Sequence, residues 1–429
     1  ERGRAMRPNI LAKCGGTYSS EWFWAKALHL KRTAPKVFEA MHSFVEICDY
    51  LTALLSGDTR PEQIARGVCA AGHKAMYSEE WGGLPDKEFL SALDPALADL
   101  RDWLYDKAWP ADHPAGTLAE NWAKDLGLTP GIAVAVGAFD AHMGAVGAGI
   151  REGTLVKILG TSTCDMMVME NSKELADIPG VCGIVDGSVL PGYYGIEAGQ
   201  SGVGDIFLWW IRNCVPDSYG GNEEERFEKL AEAAAGQRAG EHGLLALDWN
   251  NGNRCILVDV RLTGLLLGQT LHTRAHEIYR ALIEATAYGA LRIIERIEEY
   301  GVPVREVVNC GGLAVKNPLL MQLYADILNR PMKISRSDQT CALGAAIFGA
   351  VAAGKAAGGF ATVAEAQEAV CGVRETVYTP RAENRQAYDA LYALYRELHD
   401  AFGTDRGPAP MNHVMKKLIA IRERARAAS

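Results

Sequence analysis

Apolar residues follow two different periods along this chain, and the places where the period switches divide it. From 19 to 55 they return every three or four positions: Trp22, Ala25 and Leu28 form one stripe, and Val37, Ala40, Met41 and Phe44 form another. Pro35 stands where a second helix would begin, so this opening portion is predicted to be mostly helical. Between 131 and 149 the pattern changes. The run IAVAVGAF is apolar and of strand length, Asp140-Ala141-His142 closes it, and a Gly/Ala-rich helix follows. A polar residue at the end of a buried strand is where α/β enzymes place their chemistry.

Further on, strands are predicted at 155–158 and 166–169, with the turn Gly160-Thr161-Ser162-Thr163-Cys164 between them. A long helix is predicted over 275–300, a strand over 306–309 that runs into Gly311-Gly312, a helix over 317–328, a short strand over 332–335, and a small-residue helix from Cys341 onward. Alternation of strand and helix defines the class as α/β. The stretch 411–429, with Lys416, Lys417, Arg422, Arg424 and Arg426, is predicted as a basic amphipathic helix at a solvated terminus.

One hydrophobic core rarely serves 429 residues, and the 48% apolar and 23% charged composition is that of a globular protein, so two domains are expected. The boundaries expected are 1–150, 151–405 and a tail over 406–429. Acidic residues outnumber basic ones by 53 to 44, and the basic ones are not massed in one stripe, which argues against nucleic acid as a partner. No two of the ten cysteines are closer than Cys164 and Cys182, so there is no C-x-x-C pair for zinc or redox chemistry, and buried thiols in a reducing cytoplasm are expected. The most apolar later run, 342–354, is too short and too rich in Gly and Ala to span a bilayer, so no membrane association is expected.

Three features carry candidate chemistry. The turn Gly160 to Thr163 offers backbone N–H groups and hydroxyls with no bulky side chain in the way, which suits the terminal phosphates of a nucleotide, although an ordinary hairpin would look the same. Gly311 and Gly312 end a strand ahead of a helix that opens near Asn317-Pro318, a corner where backbone can approach an adenosine phosphate, although a turn needing positive φ explains one glycine without a ligand. Asp140 is placed to orient an alcohol and take its proton during phosphoryl transfer, or simply to cap the helix that follows.

Taken together, the segments GGTYSSEWFWAK, ARGVCAAGHKAMY, VAVGAFDAHMGAVGAG, ILGTSTC, PGYYGIEAGQSGVGDIFLWW, LDWNNGNR, LTGLLLGQTLHTRAHEIYRALIEATAYG, CGGLAVKNPLLMQLYADIL and SDQTCALGAAIFGAV resemble, in order, the sugar kinases that include glycerol kinase, xylulokinase and ribulokinase. PGYYGIEAGQS and LDWNNGNR look most like the ribulokinase branch. The resemblance implies an actin/hexokinase/Hsp70-like (ribonuclease H-like) fold of two lobes that close on ATP and sugar, and phosphorylation of the terminal hydroxyl of L-ribulose in arabinose breakdown. It implies Asp140 as general base, Lys74 and Glu197 as contacts to sugar hydroxyls, Gly160, Thr161, Ser162 and Thr163 near the phosphates, Gly268 and Thr270 near the nucleotide, and Gly311, Gly312 and Asn317 around the adenosine. Mg2+ would travel with ATP, held mostly by phosphates and waters. His272 and His276, four apart, lack the glutamate of a H-E-x-x-H motif and are read as surface or capping residues.

Members of that family open with a strand-turn-strand bearing an Asp-x-Gly-Thr turn, which this sequence does not contain. The first lobe is therefore expected to be incomplete, and the 429 residues by themselves inactive. Two rivals stay open: the same chemistry on another pentulose, polyol or sugar acid, and a non-catalytic nucleotide-binding protein of the actin or Hsp70 kind. Nothing in the sequence decides between a monomer and a homodimer.

Overall fold

The computed structural model describes residues 2–405, 409–413 and 416–417, so the tail helix expected over 411–429 lies largely outside the described residues. The chain forms two compact units. The first comprises Glu1–Val156, Met166–Glu197 and Ser335–Val373, and the second Lys157–Asp165, Ala198–Ile334 and Arg374–Ser429. The division is not a single cut near residue 150, because two later segments return to the first unit.

In the first unit the helical stripes become the helices Phe23–Thr33, Pro35–Ala40 and Ile47–Ser56, with Pro35 in the opening turn of the second. Phe23, Trp24, Ala27, Phe89, Leu90, Leu97 and Leu100 form its hydrophobic core. The strand expected across IAVAVGAF is shorter: β1 (Pro114–Thr117) pairs antiparallel with β2 (Ala133–Ala135), and one further bond runs from the Val136 N–H to the His113 carbonyl (2.9 Å). Just beyond, Gly137 is pressed so closely on the Cys48 carbonyl that any side chain would collide with it. The chain then turns through Phe139 into the helix Asp140–Gly147.

That helix packs on Thr340–Ala353, and glycine on each side makes the approach close: a methyl on Gly147 would overlap the Thr340 carbonyl, and one on Gly344 the Met143 carbonyl. Strands β3 (Thr154–Leu159) and β4 (Thr163–Glu170) each have one part in the first unit and one in the second. Within the first unit β4 is followed by β6 (Tyr193–Ala198) and then by β5 (Gly183–Asp186), which runs antiparallel to β6 and sets Gly183 opposite Glu197. The helix Val68–Ala75 lies against β5, with Gly72 seated on Val185 where no side chain would fit.

In the second unit β7 (Leu245–Leu247) pairs antiparallel with β8 (Leu265–Leu267). Beside β3 come β9 (Glu306–Cys310), then β10 (Met332–Ser335), parallel to β9, then β11 (Val373–Tyr378). The helix Ala275–Glu299 is the spine of this unit and buries Tyr279, Ile283, Ala287, Ala290, Ile294 and Ile297 along one side. It also buries charge. Arg280 donates to Glu284 (2.9 Å), to the carbonyls of Ala234 (2.7 Å) and Gln237 (2.8 Å), and to Tyr388 Oη (2.9 Å), while His242 meets the other Glu284 oxygen at 3.0 Å. A buried ion pair is tolerable when its remaining donors and acceptors are satisfied in this way. No helix among the described residues is long and apolar enough to cross a membrane.

Candidate active site

The candidate residues sort into two groups, one in each unit. In the first unit, Lys74 lies in the last turn of Val68–Ala75, which ends at Met76 in the left-handed conformation (φ 57°). Its ammonium stands 5.1 Å from the Phe139 ring centre and 5.7 Å from that of Trp22, an aromatic seat that orients a cation while leaving its N–H donors usable. The helix end is tied down by Trp24 Nε1, which donates to the Ala75 carbonyl (2.9 Å), and by Tyr18, whose hydroxyl donates to the Lys74 carbonyl.

Asp140 is exposed and is the first residue of its helix, one place past the N-cap residue, Phe139. Its Oδ1 accepts from the N–H of Ala141 (2.8 Å). Glu197 projects from β6 and is mostly buried, its side chain 13% exposed. His142 Nε2 lies 3.9 Å from Glu197 Oε2, and its ring stands 5.8 Å from that of Phe139, on which Lys74 rests; burial lowers its ionisation first, followed by the influence of Glu197, Lys74 and Asp140. His73, beside Lys74, is also buried, and burial and the neighbouring His142 push its pKa down to about 3. Both imidazoles are therefore neutral at ordinary pH.

The second unit holds the glycine turns. Gly160 N–H donates to Ser162 O (3.0 Å), which closes the turn between β3 and β4. The carbonyls of Gly160 and Thr161 accept from Gly204 (3.1 Å) and Val203 (2.8 Å) at the start of the helix Gly204–Asn213. Thr161 is exposed, and Thr163 is buried and held by Gln200, whose N–H donates to Thr163 Oγ1 (3.0 Å) and whose carbonyl accepts from the N–H of Thr163 (3.0 Å). The Gln200 amide in turn donates to Asp248 (2.7 Å) and to the Thr286 carbonyl (2.8 Å). Beneath the same hairpin Lys157, fully buried, donates to both oxygens of Asp165 (2.7 and 2.9 Å).

Gly311 has φ 92° and rests on the Leu159 carbonyl, a place open only to glycine, whereas Gly312 opens the short helix Gly312–Lys316 with free space where a side chain would point. Asn317 caps the helix Pro318–Leu328 through Oδ1, which accepts from Leu320 (3.0 Å), and its amide donates to Tyr279 Oη (3.1 Å). Gly268 (φ 92°) follows β8 and is pressed on the Gly243 carbonyl, and Thr270 is exposed, its hydroxyl accepting from the N–H of His272 (3.2 Å). His276 meets Tyr219 Oη at 2.8 Å and His272 is exposed.

Sequence reading missed the residues that hold these groups in place: Gln200, Lys157, Asp165 and Asp248 below the hairpin, and His73 and His142 around Glu197. Lys157 and Asp165 alternate with apolar residues in strands, the usual sign of a solvated face, and nothing local shows that each buries its charge against the other.

A model of the C-terminal domain of the FGGY family of carbohydrate kinases matches residues 155–353. The ribulokinase of Geobacillus thermodenitrificans is 45% identical over 435 residues, which span 100% of this chain and 74% of that protein, and the ribulokinase of Mycolicibacterium smegmatis is 43% identical over 97% of this chain and 71% of its own length. Among solved structures, xylulose kinase from Rhodospirillum rubrum superposes with a TM-score of 0.73 at 24% identity (93% of this chain, 77% of that one), and glycerol kinase from Plasmodium falciparum, solved with ADP, with 0.71 at 15% (91% and 74%). The chain belongs to the FGGY family of carbohydrate kinases and has their actin-like α/β fold. It is thus a phosphotransferase whose donor is ATP and whose acceptor is a small sugar or polyol.

Proposed function

We propose that the enzyme transfers the γ-phosphoryl group of ATP to the terminal hydroxyl of L-ribulose, giving L-ribulose 5-phosphate in the breakdown of L-arabinose. Asp140 orients that hydroxyl and accepts its proton as the oxygen attacks the γ-phosphorus, and the bond from that phosphorus to the β,γ-bridging oxygen breaks to release ADP. Lys74 donates to sugar hydroxyls and Glu197 accepts from them. In the second unit the Gly160 to Thr163 turn lies along the phosphates, Gly268 and Thr270 near the nucleotide, and Gly311, Gly312 and Asn317 around the adenosine.

The observation that carries this reading is the neighbourhood of Lys74, Asp140 and Glu197 in the first unit: Lys74 rests 5.1 Å from the Phe139 ring that precedes Asp140, and Glu197 stands 3.9 Å from His142, two residues after Asp140. A donor, an exposed carboxylate and a half-enclosed acceptor make a set suited to a polyhydroxyl ligand, and a protein that only binds nucleotide has no use for it. The choice of L-ribulose is supported by the relatives that share 42–45% of its residues and carry the name ribulokinase.

The Thr161 and Ser162 hydroxyls of the Gly160 turn are neutral donors of the kind that touch phosphate oxygens, which fits a Mg2+ ion held by those phosphates and by water. When bound, that ion neutralises charge building on the transferred group. The test is a coupled ADP-release assay of the full-length enzyme with L-ribulose, D-xylulose, glycerol and gluconate. L-ribulose should give the highest kcat/KM. A higher value for any of the other three would overturn the choice of substrate.

A further inference from the structure

Two buried imidazoles beside Glu197, those of His73 and His142, have no part in the transfer proposed above. His73, His142 and Glu197 each turn a donor atom toward the others, and all three atoms lie within 4.8 Å of one another. We propose that these residues bind one zinc ion, through His73 Nδ1, His142 Nε2 and Glu197 Oε2.

His73 turns one ring nitrogen into the group. Its Nε2 meets Ser188 Oγ at 3.1 Å, and its Nδ1 has no hydrogen-bond partner and stands 3.4 Å from Glu197 Oε2. A ring whose far nitrogen is held by a hydrogen bond is the arrangement that orients imidazoles bound to metal.

His142 adds the second observation. It is 2% exposed, and neither of its ring nitrogens has a hydrogen-bond partner, a costly state for two buried polar atoms unless something else occupies them. Its Nε2 lies 3.9 Å from the same Glu197 oxygen, and its ring meets that of His73 edge to face at 4.6 Å. Ligands about 2.0–2.2 Å from a tetrahedral zinc ion stand about 3.3–3.6 Å apart, so the two gaps to Glu197 need little adjustment. Space for the group comes from Gly183, opposite Glu197 on β5, where any side chain would overlap His73 Nδ1.

Two imidazoles and a carboxylate make a borderline donor set that suits zinc, whereas calcium and magnesium prefer oxygen throughout. The ion would fix the Glu197 carboxylate. Its effect on sugar affinity rests on the role proposed above for Glu197, but the binding of zinc does not.

The protein, stripped with a chelator and titrated with zinc against a chromophoric competitor, should take up one equivalent. His73→Ala, His142→Ala and Glu197→Gln should each weaken uptake at least about tenfold. Loaded with cobalt(II), the parent protein should show the visible bands of a tetrahedral site with nitrogen and oxygen donors, a readout that does not depend on whether the variants fold. Cobalt bands with strong thiolate charge transfer, or uptake unchanged in all three variants, would assign the metal to the cysteines and overturn the proposal. Failure of the parent to take up zinc would overturn it too.

Discussion

Asp140→Asn separates catalysis from folding more cleanly than any other change in this protein. The side chain is exposed and its Oδ1 accepts one local hydrogen bond, from Ala141 at 2.8 Å. Asparagine keeps that acceptor and loses only the charge beside the first turn of an eight-residue helix, which is worth about 0.3–1 kcal/mol. At about 2–4 °C per kcal/mol for a domain of this size, Tm should fall by a few degrees at most. The chemical step should suffer far more. A positioned general base contributes about 10²–10⁴-fold, or about 3–5 kcal/mol at roughly 1.4 kcal/mol per decade. ADP release in the presence of saturating sugar reads kcat directly, and calorimetric titration reads ATP affinity, which should stay within about twofold because no nucleotide contact is assigned to Asp140. A kcat within tenfold of the parent enzyme would refute the assignment of the base.

Two further tests use local geometry. Gly312→Ala adds a methyl into open space and Gly311→Ala adds one onto the Leu159 carbonyl at φ 92°, so the first should leave Tm unchanged while weakening ATP binding, and the second should cost about 1–3 kcal/mol in urea denaturation. Equal effects of the two on Tm would remove the distinction between a ligand surface and a packing contact. Asp49 is 2% exposed, accepts from the Gly67 N–H at 2.9 Å, and is raised by burial to about 7. Between its ordinary value of 3.8 and about 7 the folded state holds a proton that the unfolded chain has released, so this group's stabilising effect is complete below that window and is lost as pH rises through it. Asp49→Asn should therefore gain on the parent in urea denaturation as pH goes from 4 to 8, by up to about 1.4 kcal/mol per pH unit within the window, and a constant difference would refute the buried-carboxylate account.

Much of this architecture is legible in the sequence because the signals are local. The strand over 306–309 is observed as Glu306–Cys310, the long helix over 275–300 as Ala275–Glu299, and Pro35 and Pro318 both stand in first turns. Where the reading failed, the deciding contact was distant in sequence. IAVAVGAF has the composition of a full strand, but β2 ends at Ala135 and two residues on Gly137 meets Cys48, nearly ninety positions earlier. The segment from Ser335 returns to the first unit, where the seat of Gly344 on Met143 brings a helix from near residue 340 back to one near 140. Lys74, Asp140 and Glu197 are singled out because the family motifs mark them. His73 and His142 sit in the same motifs, but their chemistry depends on which ring nitrogen Ser188 occupies, and no pattern of residue types encodes that.

The motif GIEAGQ joins the two groups of candidate residues through one short segment. Glu197 is the last residue of its segment in the first unit, where it faces two imidazoles, and three positions later Gln200 belongs to the second unit and holds Thr163 by both its N–H and its carbonyl. Gly199 between them has φ 154° and is pressed against the Thr163 carbonyl, so no bulkier residue can stand there. The Glu197 carboxylate and the Gln200 amide that fixes the Gly160 turn are thus separated by only two residues, Ala198 and Gly199. Lengthening this segment by one residue would turn Gln200 away from Thr163 if Glu197 kept its place in β6, and would turn Glu197 away from the histidines if Gln200 kept its own.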